Sequence, residues 1–367
     1  MFPRGSSPKE DIMEKIRVGI IGATGTVGRR FLSLLKDHPY FEVSALAASK
    51  RSAGKTYREA LGGRGDSGAF GDMTVIDASD TRRMAELCSF VFCATNLPRE
   101  ETLALEEAYA RAELPVISNN SANRGTPDVP MVIPEINAEH FCVIEAQKKR
   151  LGTRRGFIAV KPNCSVQSYL PMLVPLLGYG IEKVFVTTLQ AVSGAGRTLE
   201  DWHEMNGNVI PFISGEEEKS EREPLKILGK AEGGHIVPAL SPDISARCIR
   251  VPVSDGHTAS VFVTFSGNAP DLSEVIGRWE SLRGLPQELS LPSAPEHFIT
   301  YFNEEDRPQC ILDRGLYRGM GISAGRLAKD GEKGIKFIGL SHNTVRGAAG
   351  GALLNAELLF RLGYLSD

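Results

Sequence analysis

Residues 16–28 read IRVGIIGATGTVG, and the parsing of this stretch decides the fold. Ile16–Ile21 is short, rich in β-branched residues and closed by Gly22, the pattern of a buried strand. Beyond the glycines, Val27, Phe31, Leu34 and Leu35 fall at i, i+4, i+7 and i+8, one face of an amphipathic helix. His38-Pro39 ends that helix, and Glu42–Ala48 supplies a second strand. Strand, helix and strand make a βαβ unit, whose strands run parallel with a right-handed crossover. Further strands are expected at Phe90–Thr95 and Pro115–Ser118, with a helix from Arg99 to Ala112 between them. The fold class is therefore α/β, opening with a Rossmann-type doubly wound parallel sheet.

Past Lys161-Pro162 the texture changes. Lys183–Val192, Ala246–Val253, Thr258–Ser266, Gln309–Asp313, Gly321–Leu327 and Ile335–Ser341 read as longer strands with few helices between them. That predicts an α+β second domain with a mixed or antiparallel sheet, spanning 162–342 after a first domain at 1–161. The run Gly215–Glu223 (GEEEKSERE) reads as a solvated helix or loop, and Thr344–Leu362 as one continuous helix. Val166 to Leu177 reads as a long apolar helical stretch.

Two domains suit 367 residues. A formal charge of −3, from 42 basic and 45 acidic residues, argues against nucleic acid as a partner. No apolar run approaches the ~20 residues that cross a bilayer, so no membrane partner is expected. The N-terminal MFPRGSSPKED reads as a loose tail without a signal-peptide core, which points to the cytoplasm. The six cysteines form no C-x-x-C pair and read as free thiols; no metal site is expected.

The turn Gly22, Ala23, Thr24, Gly25, Thr26, Val27, Gly28 lies between a strand and a helix, where glycines let a pyrophosphate approach the helix N-terminus. An NAD site would carry an acid at the end of the second strand. Here Ser49, Lys50, Arg51 and Ser52 stand there instead, which suits the 2′-phosphate of NADP; a plain basic turn is the alternative.

Cys164, in Lys161-Pro-Asn-Cys-Ser165, closes the β-rich Phe157–Val160 and precedes the apolar helical stretch. A thiolate is favoured at a helix N-terminus, so Cys164 is the best nucleophile candidate, against the commoner fate of a buried structural thiol. His257 follows an Asp255-Gly256 turn, where it would be accessible as a general base, and Arg250 is a ready carboxylate clamp. Ser193 and Gly194, in QAVSGAG (190–196), belong to a small-residue loop suited to close contact with a ligand.

GATGTVG, Asn163-Cys164-Ser165, QAVSGAG, RVPVSDGH and HNTVRGAAGG occur together in the order found in aspartate-β-semialdehyde dehydrogenases, which this chain resembles over nearly its whole length. The AASKRSAGK and VIPEIN segments look most similar to the fungal and archaeal branch. The resemblance implies that Cys164 is acylated, that His257 is the general acid/base and that Gln190 orients the acyl group. It implies that Arg250 grips the substrate α-carboxylate and Glu216 its amino group. Lys219 and Arg124 would serve the phosphate, and Asn343 would lie near the nicotinamide, returning residues 343–367 to the first domain. Asn163 and the Glu216/Lys219 pair favour an aspartyl phosphate over the malonyl-CoA of a reductase with the same fold. The implied reaction is attack of Cys164 on 4-phospho-L-aspartate, loss of phosphate and hydride reduction of the thioester by NADPH. His257 would supply a proton as the thiohemiacetal collapses, with backbone amides near Cys164 holding the oxyanion. A homodimer or homotetramer formed through the second domain is also implied.

Overall fold

In a computed structural model, which describes residues 14–63 and 65–365, two six-stranded sheets carry the chain. The N-terminal tail lies outside the described residues. The first sheet comprises β1 (Ile16–Ile21), β2 (Phe41–Ala48), β3 (Val75–Asp77), β4 (Phe90–Cys93), β5 (Val116–Ser118) and β6 (Ile158–Val160). All pairings are parallel, in the order β3-β2-β1-β4-β5-β6. The strand order reverses between β1 and β4, which is where doubly wound sheets bind ligands. The first helix, Thr26–Leu35, buries Phe31, Leu32 and Leu35, while Leu34 is only half-buried. Helix Arg99–Arg111 follows β4.

The second sheet is mixed, in the order β10-β7-β11-β14-β13-β12. Its strands are β7 (Ile181–Gln190), β10 (Asp243–Arg250), β11 (His257–Phe265), β12 (Ile299–Phe302), β13 (Ile322–Lys329) and β14 (Gly334–Ser341). A small hairpin of β8 (Lys230–Glu232) and β9 (His235–Val237) stands apart. β10 runs parallel to β7, and β11 antiparallel to it.

Three expected elements differ. Gln309–Asp313 is not a strand: Cys310–Asp313 forms one helical turn, held by Gln309 N–H donating to Asp313, and β12 takes the edge. The apolar run after Cys164 breaks into the 3₁₀ turn Ser165–Ser168, the turn Leu170–Leu173 and the 3₁₀ segment Val174–Tyr179. Pro171 and Pro175 each remove a backbone donor, so no continuous helix forms. The last helix is interrupted as well. Val345–Ala349 is a π-turn with Ala348 at φ −142°, ψ −111°, and regular helix covers only Gly350–Arg361.

That π-turn is pinned. Arg346, 1% exposed, donates to both carboxylate oxygens of Glu135 (2.7 and 2.5 Å) and to Gln167 Oε1 (3.1 Å). Helix Gly350–Arg361 then buries Leu353, Leu354, Leu358 and Leu359 in one apolar cluster with Val18, Phe31 and Phe90 of the first sheet's layer.

Candidate active site

The glycine turn fits a dinucleotide pyrophosphate. Gly22 has φ +86°, and a Cβ there would lie 2.2 Å from Ala94 O. Gly28 is buried, where a Cβ would meet Gly22 O at 2.2 Å, so it serves close packing of helix on strand rather than ligand contact. Gly25 and Thr26 are exposed, with Thr24 and Val27 half-buried. The helix that follows has no capping side chain and no acid in its first turn, which leaves its N-terminus open to an anion. At the end of β2, Ser49, Lys50 and Arg51 are exposed. Ser52 is 6% exposed, and its N–H closes the turn on Ser49 O.

A cavity of about 360 Å³ runs from this turn to Cys164. Val27, Asn96, Ser193, Asn343 and Thr344 line it, together with the polar Asn119, Arg124, Lys161, Glu216 and Lys219. Cys164 Sγ stands 3.3 Å from His257 Nε2. Gly347 of the π-turn backs directly onto the nucleophile, since a Cβ there would lie 2.7 Å from Cys164 Cβ.

Sheet order assembles the other side. Arg250 pairs with Gln190 across β10 and β7, and β11 brings His257 to the same end. The expected accessibility of His257 is a correction: it is 0% exposed, because it opens a central strand beneath the Val192–Ala195 turn. Burial, and then Arg250, push its pKa down to about 3, so the imidazole is neutral near pH 7. Ala191 N–H donates to Nδ1 (3.1 Å), which puts the imidazole proton on Nε2, facing sulfur. Arg250, 5% exposed, donates from Nη1 to Ala191 O (2.6 Å). A Cβ on Gly194 would meet Arg250 Nη1 at 2.9 Å and the His257 ring at 3.1 Å, so only glycine covers both.

The helix-dipole expectation for Cys164 is also corrected, because only a four-residue 3₁₀ turn follows it. Burial and Glu216 push its thiol above the ordinary value, against Lys161, Arg124 and Arg250. The oxyanion expectation narrows too, since Ser165 N–H is committed to Asn163 Oδ1 (2.8 Å).

The charged run is not solvated throughout. It opens helix Glu216–Ile227, and Glu216, Lys219 or Ser220, and Glu223 fall at i, i+3 or i+4, and i+7 on one inward face. Glu216 accepts from Lys219 Nζ (3.0 Å), Asn163 Nδ2 (2.7 Å) and Gln190 Nε2 (3.4 Å). Burial raises its pKa, but Lys219, Asn163 and Arg124 outweigh this and hold the carboxyl below the ordinary value. Glu223, which the sequence did not single out, accepts from Arg124 Nη1 (2.9 Å) and Asn163 N–H (2.5 Å). Asn343 donates to Ser193 Oγ and accepts from Gly256 N–H, both at 2.8 Å, tying the loop to the turn before His257.

Two family models match the chain: the semialdehyde dehydrogenase NAD-binding domain over residues 17–144 and the semialdehyde dehydrogenase dimerisation domain over 173–346. Aspartate-semialdehyde dehydrogenase of Archaeoglobus fulgidus is 44% identical, covering 94% of this chain and 98% of the relative. That of Aspergillus fumigatus is 38% identical, covering 96% and 99%. A crystal structure of aspartate semialdehyde dehydrogenase with NADP from Candida albicans superposes with a TM-score of 0.84 at 37% identity, covering 95% of this chain and 99% of that one.

Proposed function

The chain belongs to the aspartate-semialdehyde dehydrogenases, and from that premise we propose that it reduces 4-phospho-L-aspartate to L-aspartate 4-semialdehyde with NADPH through a Cys164 thioester. The observation that carries this reading is the Cys164–His257 contact at the floor of a cavity reaching the glycine turn. The Cys164 thiol attacks the acyl carbon, its proton leaves with the departing hydrogen phosphate, and a thioester remains. Bound NADPH supplies the hydride. Hydride addition to the thioester leaves a tetrahedral alkoxide, which collapses to the aldehyde as Cys164 departs as thiolate, hydrogen-bonded by the Nε2 proton of His257; a proton taken up from solvent then restores the thiol. Arg250 and Glu216 receive the substrate's α-carboxylate and amino group. Lys219, Arg124 and Asn163 serve the phosphate side, and Gln190 orients the acyl group. Gly22, Thr24, Gly25, Thr26, Val27, Ser193, Gly194 and Asn343 frame the dinucleotide. The functional division is 1–161 with 343–367 for the cofactor, and 162–342 for catalysis. The six free thiols are compatible with work in a reducing cytoplasm.

The test is phosphate-dependent oxidation of aspartate semialdehyde by NADP⁺, run beside malonate semialdehyde plus CoA. Turnover is expected only with the first pair, and turnover only with the second would overturn the assignment.

NADP(H) is expected to exceed NAD(H) by on the order of a hundredfold in kcat/KM, from charge-assisted contacts of Ser49, Lys50 and Arg51 to the 2′-phosphate. Neutralising Lys50 and Arg51 together should erode NADP use and leave NAD use nearly unchanged. Equal efficiency with both cofactors in the intact enzyme would mean that this turn does not meet the ribose.

A second copy of the chain covers one face of the second sheet. Phe185 and Phe262 pair directly across β7 and β11, 48% and 40% exposed, with Leu189 beside them on the same face. Such a face is costly to leave in water. A Phe185→Asp, Phe262→Asp double variant is expected to sediment as monomer, and an unchanged oligomer would place the contact elsewhere.

A further inference from the structure

Three cations line the Cys164 cavity, and two of them are spent. Arg124 pairs with Glu223 and Lys219 with Glu216. Lys161 is 3% exposed, and its ammonium makes no hydrogen bond or ion pair among the described residues. A buried cation without a partner is expensive, and the fold bears that cost beside the nucleophile. Close by are further orphans. Both amide atoms of Asn119 and the Nε of Arg124 are buried without a partner, and Asn119 lines the same cavity. The backbone carbonyl of Asn119 also accepts from Arg124 Nη2 (3.1 Å), and both residues line this cavity. Buried donors in native structures are almost always satisfied, so orphaned donors converging on one cavity mark a ligand with several acceptor oxygens and negative charge.

On the reading that this enzyme handles an acyl phosphate, we propose that Lys161 and Asn119 complete its phosphoryl subsite, with Lys161 as the charge partner of the phosphoryl oxygens and Asn119 as a neutral donor beside Arg124. Lys219 is excluded from the leading role because its ammonium already neutralises Glu216. The position is consistent with the chemistry, since Lys161 leaves the end of β6 three residues before the atom that breaks the acyl–phosphate bond. Burial and Arg124 bring the Lys161 pKa down to about 7, while Cys164, Glu223 and Glu216 pull it upward. A dianion arriving beside it holds the proton on, so phosphate binding should weaken as pH rises above neutrality.

The test uses the intact enzyme in the oxidative direction, with inorganic phosphate as the varied substrate. Lys161→Met is expected to raise KM for phosphate about 10- to 100-fold, while KM for the semialdehyde moves less than about threefold. Asn119→Ala should raise the same constant by about three- to tenfold. Because Lys161→Met removes an unpaired buried charge, its Tm without phosphate should equal or exceed that of the wild type. The rise in Tm that phosphate gives the wild type should shrink in both variants. A phosphate KM within about twofold of wild type in both variants overturns the proposal. So does a fall in kcat with phosphate KM intact, which would assign Lys161 to the thiol, or an equal rise in both KM values. If Lys161→Met does not fold, Asn119→Ala decides on the same criterion. A wild-type enzyme that oxidises the semialdehyde without phosphate, or not at all, overturns the acyl-phosphate reading itself.

Discussion

Cys164→Ala is expected to lower turnover by at least about four orders of magnitude, because no other thiol can take its place. Cys88, Cys93 and Cys248 are buried, and burial pushes their thiols up, that of Cys88 to about 12. Cys142 is exposed but lines a separate groove with Phe141 and Leu285. Cys310 sits behind Gly256, donating weakly to its carbonyl. Iodoacetamide labelling, mapped by mass spectrometry, should follow activity loss at Cys164 alone. The pH dependence of that labelling carries a second expectation. With His257 neutral and Cys164 raised, the free enzyme holds a thiol, not a thiolate–imidazolium pair. The labelling rate should therefore still climb at about pH 9. A plateau already reached near pH 6 would mean a preformed ion pair, and full activity in Cys164→Ala would sink the thioester route.

The parts of the site that the residues announced are those set by local rules. The strand–glycine–helix unit, the acid-free end of β2 and the Asn163-Cys164-Ser165 turn all depend on neighbours within one turn or strand. Gln190, Arg250 and His257 are different, because β7 joins them by a parallel pairing on one side and an antiparallel one on the other. No spacing in the sequence encodes that order. His257 looked accessible after its turn because the loop that buries it comes 62 residues earlier, at Ala195. Glu223 was legible in hindsight, since Glu216 and Glu223 are seven apart on one helix and share a face. Arg346 was not: within a small-residue run nothing points to a carboxylate 211 positions away. Lys161 lay in plain view within the cysteine motif, but only three-dimensional structure reveals a buried lysine whose ammonium makes no ion pair among the described residues.

Arg250→Lys is expected to cost about 2–4 kcal/mol in kcat/KM, some 30- to 1,000-fold. The guanidinium is fixed at the last residue of β10, 5% exposed, with one N–H spent on Ala191 O. No carboxylate pairs with it among the described residues, so its remaining N–H groups are available to a ligand's carboxylate in the bidentate geometry that arginine offers. Lysine has a single compact ammonium on a shorter stem. It can keep Ala191 O or meet the carboxylate, but not hold both in the arginine's plane. The loss should therefore appear with aspartate semialdehyde and leave the Tm within a few degrees, because the charge is retained. Gly194→Ala provides an independent check on the same surface. Its Cβ would press on Arg250 Nη1 and the His257 ring, so it should impair the same substrate without removing either group. An Arg250→Lys enzyme within about threefold of wild type, under ~0.7 kcal/mol, would make the arginine a brace for the Ala191 turn and leave the carboxylate to another residue.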